Sequence, residues 1–155
     1  MSDTLKMRYE EDSIGRKQVP ADAYYGVQTL RAVENFSITG TKLRREMINS
    51  LAYLKKACAM ANMAAGVMDS AVADAIIRSC DRILDGAYHD QFLVDPIQGG
   101  AGTSMNMNAN EVIANIAIEI MGGEKGNYTM VHPNDHVNYG QSTMMSSPRR
   151  ENSQR

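Results

Sequence analysis

Tryptophan is absent from the 155 residues, cysteine occurs twice, phenylalanine twice and proline four times. Cys58 and Cys80 each sit in an apolar helical pattern. They are too few and too far apart for a disulfide framework or a thiolate metal site, and read as small buried hydrophobes. A reducing cytoplasm is the compartment that fits them. No apolar run approaches the ~20 residues that a membrane span needs, and the charged opening MSDTLKMRYEED carries no signal-peptide core. A net charge of −2 provides no general field for nucleic acid or an anionic membrane. The basic cluster Arg149, Arg150 and Arg155 is too short for a nucleic-acid footprint. What is present is a 43 % apolar chain with twelve methionines, enough for one domain that hides roughly 70 % of its unfolded surface. Its methionines read as adaptable core filler.

Periodicity predicts a mainly α fold. Residues 1–40 read as an irregular arm with one short helix in YYGVQTLRAVENF, where Val27, Leu30 and Val33 fall at helical spacing. Thr41 is a candidate N-cap. Met47, Leu51, Leu54, Cys58, Ala61 and Ala65 form one apolar stripe of a long helix that Gly66 ends. Asp69 caps a second helix carrying Val72, Ile76, Ile83 and Ala87, and the short connection predicts an antiparallel pair. Phe92–Val94 reads as a short extended piece before Pro96. A third helix runs from about Ser104 to Met121, with Val112, Ile113, Ile116, Ala117 and Ile120 inward and Gly122-Gly123 at its end. Residues 144–155 read as a disordered tail.

Two stretches carry chemistry. In GGAGTSMNMNANE, Gly99, Gly100 and Gly102 free the backbone, and Thr103 and Ser104 open a helix. Unpaired N–H groups, hydroxyls and the positive end of a helix dipole meet there, which suits an anion. With no lysine in the loop, a carboxylate is a fitting guest. A Thr-capped helix after a flexible loop explains the same residues. Asn106, Asn108 and Asn110 are modest helix formers, so they signal capping, turn structure or specific polar contacts. Asn106, one turn in, can face the same pocket. The pattern is neither a Walker A loop nor a dinucleotide fingerprint. In HPNDHVNYGQST, Pro133 breaks any helical face that would join His132 and His136 with Asp135, so a metal is not expected. A polar loop that offers hydroxyl and amide donors is.

Taken together, ADAYYGVQTLRAVENF, DPIQGGAGTSMNMNANEVIAN and HPNDHVNYGQST resemble, in order and from about Gly15 to Thr143, the opening third of the aspartase/fumarase superfamily. GGAGTS followed by MNMN is similar to its aspartate ammonia-lyase branch. Class II fumarases usually carry a tryptophan-containing approach here, and this chain has no tryptophan. The resemblance implies the N-terminal helical domain of that fold over residues 41–143, without the central long-helix bundle. It implies reversible, cofactor-free elimination of ammonia from L-aspartate to give fumarate, in a homotetramer whose active sites draw on three subunits. Carried over by position, Thr103, Ser142 and Thr143 bind the substrate carboxylates. Ser104 and Asn106 are helpers, and Arg31 is either a peripheral carboxylate contact or a structural arginine.

The pattern then departs. Met144 and Met145 stand where the family continues with Asn and Asp, and the third signature loop, Gly-Ser-Ser-x-Met-Pro-x-Lys-x-Asn, is missing. Its serine is the family's catalytic base, so no catalytic residue is assigned. The expectation is an N-terminal fragment, inactive by itself. A non-catalytic helical interaction module, a truncated class II fumarase-like protein and a stand-alone anion-binding domain are the alternatives.

Overall fold

The computed structural model describes residues 5–98 and 101–142. Gly99, Gly100, Thr143 and the tail expected to be disordered at 144–155 lie outside the described residues. Two short antiparallel strands, β1 (Met7–Asp12) and β2 (Gly15–Pro20), lead into four helices: α1 (Val27–Asn35), α2 (Arg45–Ala64), α3 (Ser70–Leu84) and α4 (Thr103–Ile120). A 3-10 turn at His89–Gln91 and a single π-helical turn at Pro133–Val137 complete the set. The mainly α reading is correct.

Helix α4 is the axis of the molecule. Every residue from Asn106 to Ile118 is buried, so α4 has no solvent face and its neighbours pack around it. The pair α2–α3 covers one side, with Ile48, Leu51, Ile76 and Ile83 against Val112, Ile113 and Ile116 in one apolar cluster. The Lys56–Asp81 ion pair, at 2.5 Å, joins mid-α2 to the end of α3, as an antiparallel pair requires. Helix ends follow local chemistry. The Asp69 carboxylate accepts from the N–H groups of Ala71 and Val72, and Gly66, Gly86 and Gly122 stand just past the three long helices with positive φ. Asp69→Ala removes a side-chain cap and is expected to cost about 1 kcal/mol, read as a lower urea midpoint at unchanged slope.

Several expectations need correction. The arm at 1–40 is not irregular: residues 7–20 form a hairpin, closed by the Asp12 carboxylate on the N–H groups of Ile14 and Gly15. Thr41 does not cap α2. The N-cap position belongs to Arg44, without a side-chain cap, and Thr41 Oγ1 bonds Thr39 instead. The α2 stripe is rotated: Ile48, Leu51, Ala52, Lys55 and Ala59 face inward, while Met47 and Leu54 are 40 % and 42 % exposed. Phe92–Val94 is not a strand. Phe92 and Val94 are buried beside α4, and Leu93 donates its N–H to Asn108 Oδ1. Ala87 lies past α3 and is exposed, whereas Cys80 takes a buried position inside it.

The N-terminus of α1 is capped from outside by two buried carboxylates. Glu111 of α4 accepts from the N–H groups of Gly26, Gln28 and Thr29 at 2.8, 2.8 and 3.0 Å, and from the Thr29 hydroxyl at 2.6 Å. Glu10 of β1 accepts from the Val27 N–H and the Tyr128 hydroxyl. Arg8 neutralises Glu10 at 2.7 Å and gathers the carbonyls of Pro20, Ala21, Ala23 and Tyr25. The hairpin and the start of α1 are therefore fastened to α4 through Glu10 and Glu111.

Candidate functional site

The start of α4 is built as an open helix end. Gly102 holds the N-cap position in the left-handed region, at φ 82°, which a glycine adopts at little cost. It offers no side chain to the first turn. Gln98 Oε1 takes the Met105 N–H at 2.9 Å. The earlier N–H groups and the Thr103 hydroxyl are left at the positive end of the helix.

Thr103 borders a cavity of about 630 Å³ that it shares with Gln28, Met107, Asn134, Asp135, Asn138, Tyr139 and Gly140. Thr103 and the HPNDHVNYG stretch thus border one cavity, with Gln28 of α1 as a third wall. Asn106 lies beneath rather than in the cavity. It is fully buried and donates to Asn138 Oδ1 at 3.1 Å. Ser104 and Ser142 are half-buried and are not among the lining residues. Thr143 is outside the described residues. Arg31 is committed to the hairpin, donating to Asp12 at 2.9 and 3.1 Å and to the Gly15 carbonyl at 2.9 Å. It also borders a neighbouring cavity of about 430 Å³ with Gln28, His132 and Asn134.

Asn108 and Asn115 of α4 are struts. Asn108 accepts from the Leu93 N–H and donates to the Gln91 carbonyl. Asn115 donates to the Tyr24 carbonyl and accepts from the Gly126 N–H. A helix buried on every side needs polar side chains to satisfy the irregular chain laid against it.

The π turn orients both histidines. His132 Nδ1 accepts from the N–H groups of Asn134 and Asp135, and His136 Nδ1 accepts from the His132 N–H at 2.7 Å. With Nδ1 an acceptor, the neutral ring carries its proton on Nε2. Among the described residues no three His, Cys, Asp or Glu side chains converge as metal ligands.

One functional group was not foreseen. Lys55 of α2 is 1 % exposed, and its ammonium donates to Asn138 Oδ1 and Gln141 Oε1, both at 2.8 Å. Asn138 thus receives Lys55 from behind and Asn106 from the side while it lines the cavity. The available signal was a lysine in phase with Ile48, Leu51, Ala52 and Ala59.

The family model described as Lyase matches residues 15–144. The chain belongs to the lyase family. Aspartate ammonia-lyase of Bacillus subtilis (strain 168) is 61 % identical over 136 residues, covering 88 % of this chain and 29 % of that protein. Fumarate hydratase class II of Halobacterium salinarum is 55 % identical over 136 residues, with 88 % and 29 % covered. The crystal structure of fumarate lyase:delta crystallin from Brucella melitensis bound to cobalt superposes with a TM-score of 0.88 at 51 % identity, covering 89 % of this chain and 30 % of that one. This lyase-family chain therefore has the fold of the N-terminal part of such proteins. It spans about 30 % of the length of the relatives it matches.

Proposed function

We propose that this chain supplies the dicarboxylate-binding part of an aspartate ammonia-lyase site, where L-aspartate loses ammonia reversibly to give fumarate. The observation that carries the reading is the meeting of Thr103, at a helix N-terminus whose N-cap glycine brings no side chain, with Asn134 and Asn138 around one cavity. Elimination through a Cβ carbanion makes a carboxylate take up a second charge. Preorganised donors aimed at its oxygens stabilise that state more than the ground state. The Thr103 hydroxyl, the first-turn N–H groups and the amides around the cavity are donors of this kind. Ser104, Ser142 and Thr143 extend the set, and Arg31, paired with Asp12, is a peripheral contact. Asn106 acts through Asn138.

The same resemblance favours a homotetramer in the cytoplasm, and co-expression with an intact aspartase followed by native mass spectrometry tests for mixed oligomers. The resemblance assigns the base to a loop that this sequence does not contain. The 155-residue chain with L-aspartate is therefore expected to give no rise in fumarate absorbance. Fumarate or succinate is expected to perturb the amide NMR signals of Thr103 and Asn138. Thr103→Val keeps the shape but removes the hydroxyl, and is expected to weaken that binding about tenfold. Unchanged affinity in this variant would remove Thr103 from the site.

A further inference from the structure

The geometry points to Lys55 as a positioning residue whose buried ammonium, with no carboxylate partner among the described residues, supplies the counter-charge for a dicarboxylate bound against Thr103 and Asn138. The inference rests on the carboxylate-site reading above and adds to it the source of the positive charge.

Three observations lead there. First, the ammonium is buried, and among the described residues no carboxylate pairs with it. Its two hydrogen-bond partners are the neutral oxygens of Asn138 and Gln141. Removing an ammonium from water costs several kcal/mol that neutral acceptors offset only in part. Second, one of those acceptors is in the cavity wall, so the charge lies a single amide away from the space a ligand would fill. Third, the two amides are themselves fixed. Asn138 Nδ2 donates to the Gln141 carbonyl and Gln141 Nε2 to the Val137 carbonyl, so both oxygens are turned toward Lys55 and their N–H groups away from it.

The surroundings agree. Burial lowers the Lys55 pKa to about 8, and the charged form is favoured only weakly by the nearby Cys58 and Cys80 thiols. Those two, on α2 and α3, are the titratable groups that act on it. Both thiols are kept neutral by burial, Cys80 with its pKa raised to about 12. The remaining neighbours, Asn138 and Gln141, do not titrate. A dianion arriving beyond Asn138 therefore meets a lysine that gives up its proton readily when the cavity holds no anion. Binding then favours the ammonium, and by linkage the ammonium favours binding to the same extent.

The test uses the full 155-residue chain with 13C-labelled lysine and succinate, which binds without reacting. The Lys55 Cε signal is followed against pH with and without saturating succinate, and affinity is read from the Thr103 amide. We expect the Lys55 titration to move up by about one pH unit when succinate is bound, and succinate to bind about tenfold more weakly at pH 9.5 than at pH 7. In Lys55→Met, where the amide spectrum remains folded, the affinity is expected to be lower and flat with pH. Binding at Thr103 with an unmoved Lys55 titration overturns the role of Lys55 and leaves the site standing. No binding at either pH overturns the carboxylate site and the Lys55 role with it. The lysine titration is read on the unmodified chain, so a variant that fails to fold does not leave the matter open.

Discussion

Glu111→Ala is expected to destabilise the chain by about 4 kcal/mol, the largest effect of any single substitution considered for this molecule. Glu111 is 2 % exposed and accepts four hydrogen bonds from Gly26, Gln28 and Thr29. Truncation leaves those donors facing a void at the start of α1, and a buried donor without a partner costs more than the bond contributed. Urea denaturation reads the loss. A change below about 1 kcal/mol would mean that water replaces the carboxylate.

The same residue predicts a pH dependence. Burial pushes the Glu111 carboxyl up to about 7, against the downward pull of the Thr29 hydroxyl and the Gln28 and Thr29 N–H groups, with Glu10 adding to the rise. The folded pKa thus lies above the unfolded value of about 4.3. The stability linked to this group is fully present below about pH 4.3 and is lost as pH rises through 7. The difference in stability between the wild type and Glu111→Gln should therefore fall between pH 4.5 and 7 and level off above it. A difference that rises with pH would show that the four donors outweigh burial and keep the carboxylate ionised.

What the sequence reveals, and what it hides, follows from how each residue is used. Asp69, Gly66 and Gly122 mark helix ends by their own local chemistry, and the structure agrees. The hairpin at Met7–Pro20 was hidden because the inward positions of its first strand are charged. Arg8 and Glu10 occupy the face that apolar residues would normally announce. The phase of α2 was misread because Met, Ala and Leu occupy every side of it, so a stripe can be drawn on the exposed face as easily as on the buried one. Lys55, a charged residue, lies on the buried side. At the site, the glycines before Thr103 and the donor-rich HPNDHVN stretch each read as a polar loop suited to an anion, and the structure sets Thr103, Asn134 and Asn138 around one cavity. Gln28 and Lys55 were not, because they join the cavity through contacts 75 or more positions away along the chain: Gln28 by its N–H on Glu111, and Lys55 by Asn138. Arg31 was legible as a charge but not as the partner of Asp12, since the strand carrying Asp12 had not been foreseen.

Gly26→Ala is the second large effect, expected at about 3 kcal/mol by overpacking. Gly26 has φ −123°, a conformation that any residue can adopt, so backbone strain contributes nothing and the whole penalty is one of space. A Cβ there would lie 2.5 Å from Glu10 Oε2, 2.7 Å from the Tyr128 hydroxyl and 2.8 Å from the Glu111 carboxyl carbon. None of these can swing aside freely, because Glu10 is held by Arg8 and Val27, Glu111 by its four donors and Tyr128 by Asn115. The methyl group must therefore push the two carboxylates apart and with them the first turn of α1. That turn carries Gln28, a wall of both cavities, so the variant should also weaken succinate binding at a pH and temperature where it remains folded. Gly66→Ala is the control. Gly66 has φ 71° with nothing within 4 Å of an added Cβ, so its cost is backbone strain alone, about 1 kcal/mol. A Gly26→Ala chain no less stable than Gly66→Ala would show that the carboxylates around α1 yield easily, and that the hairpin does not fix the cavity.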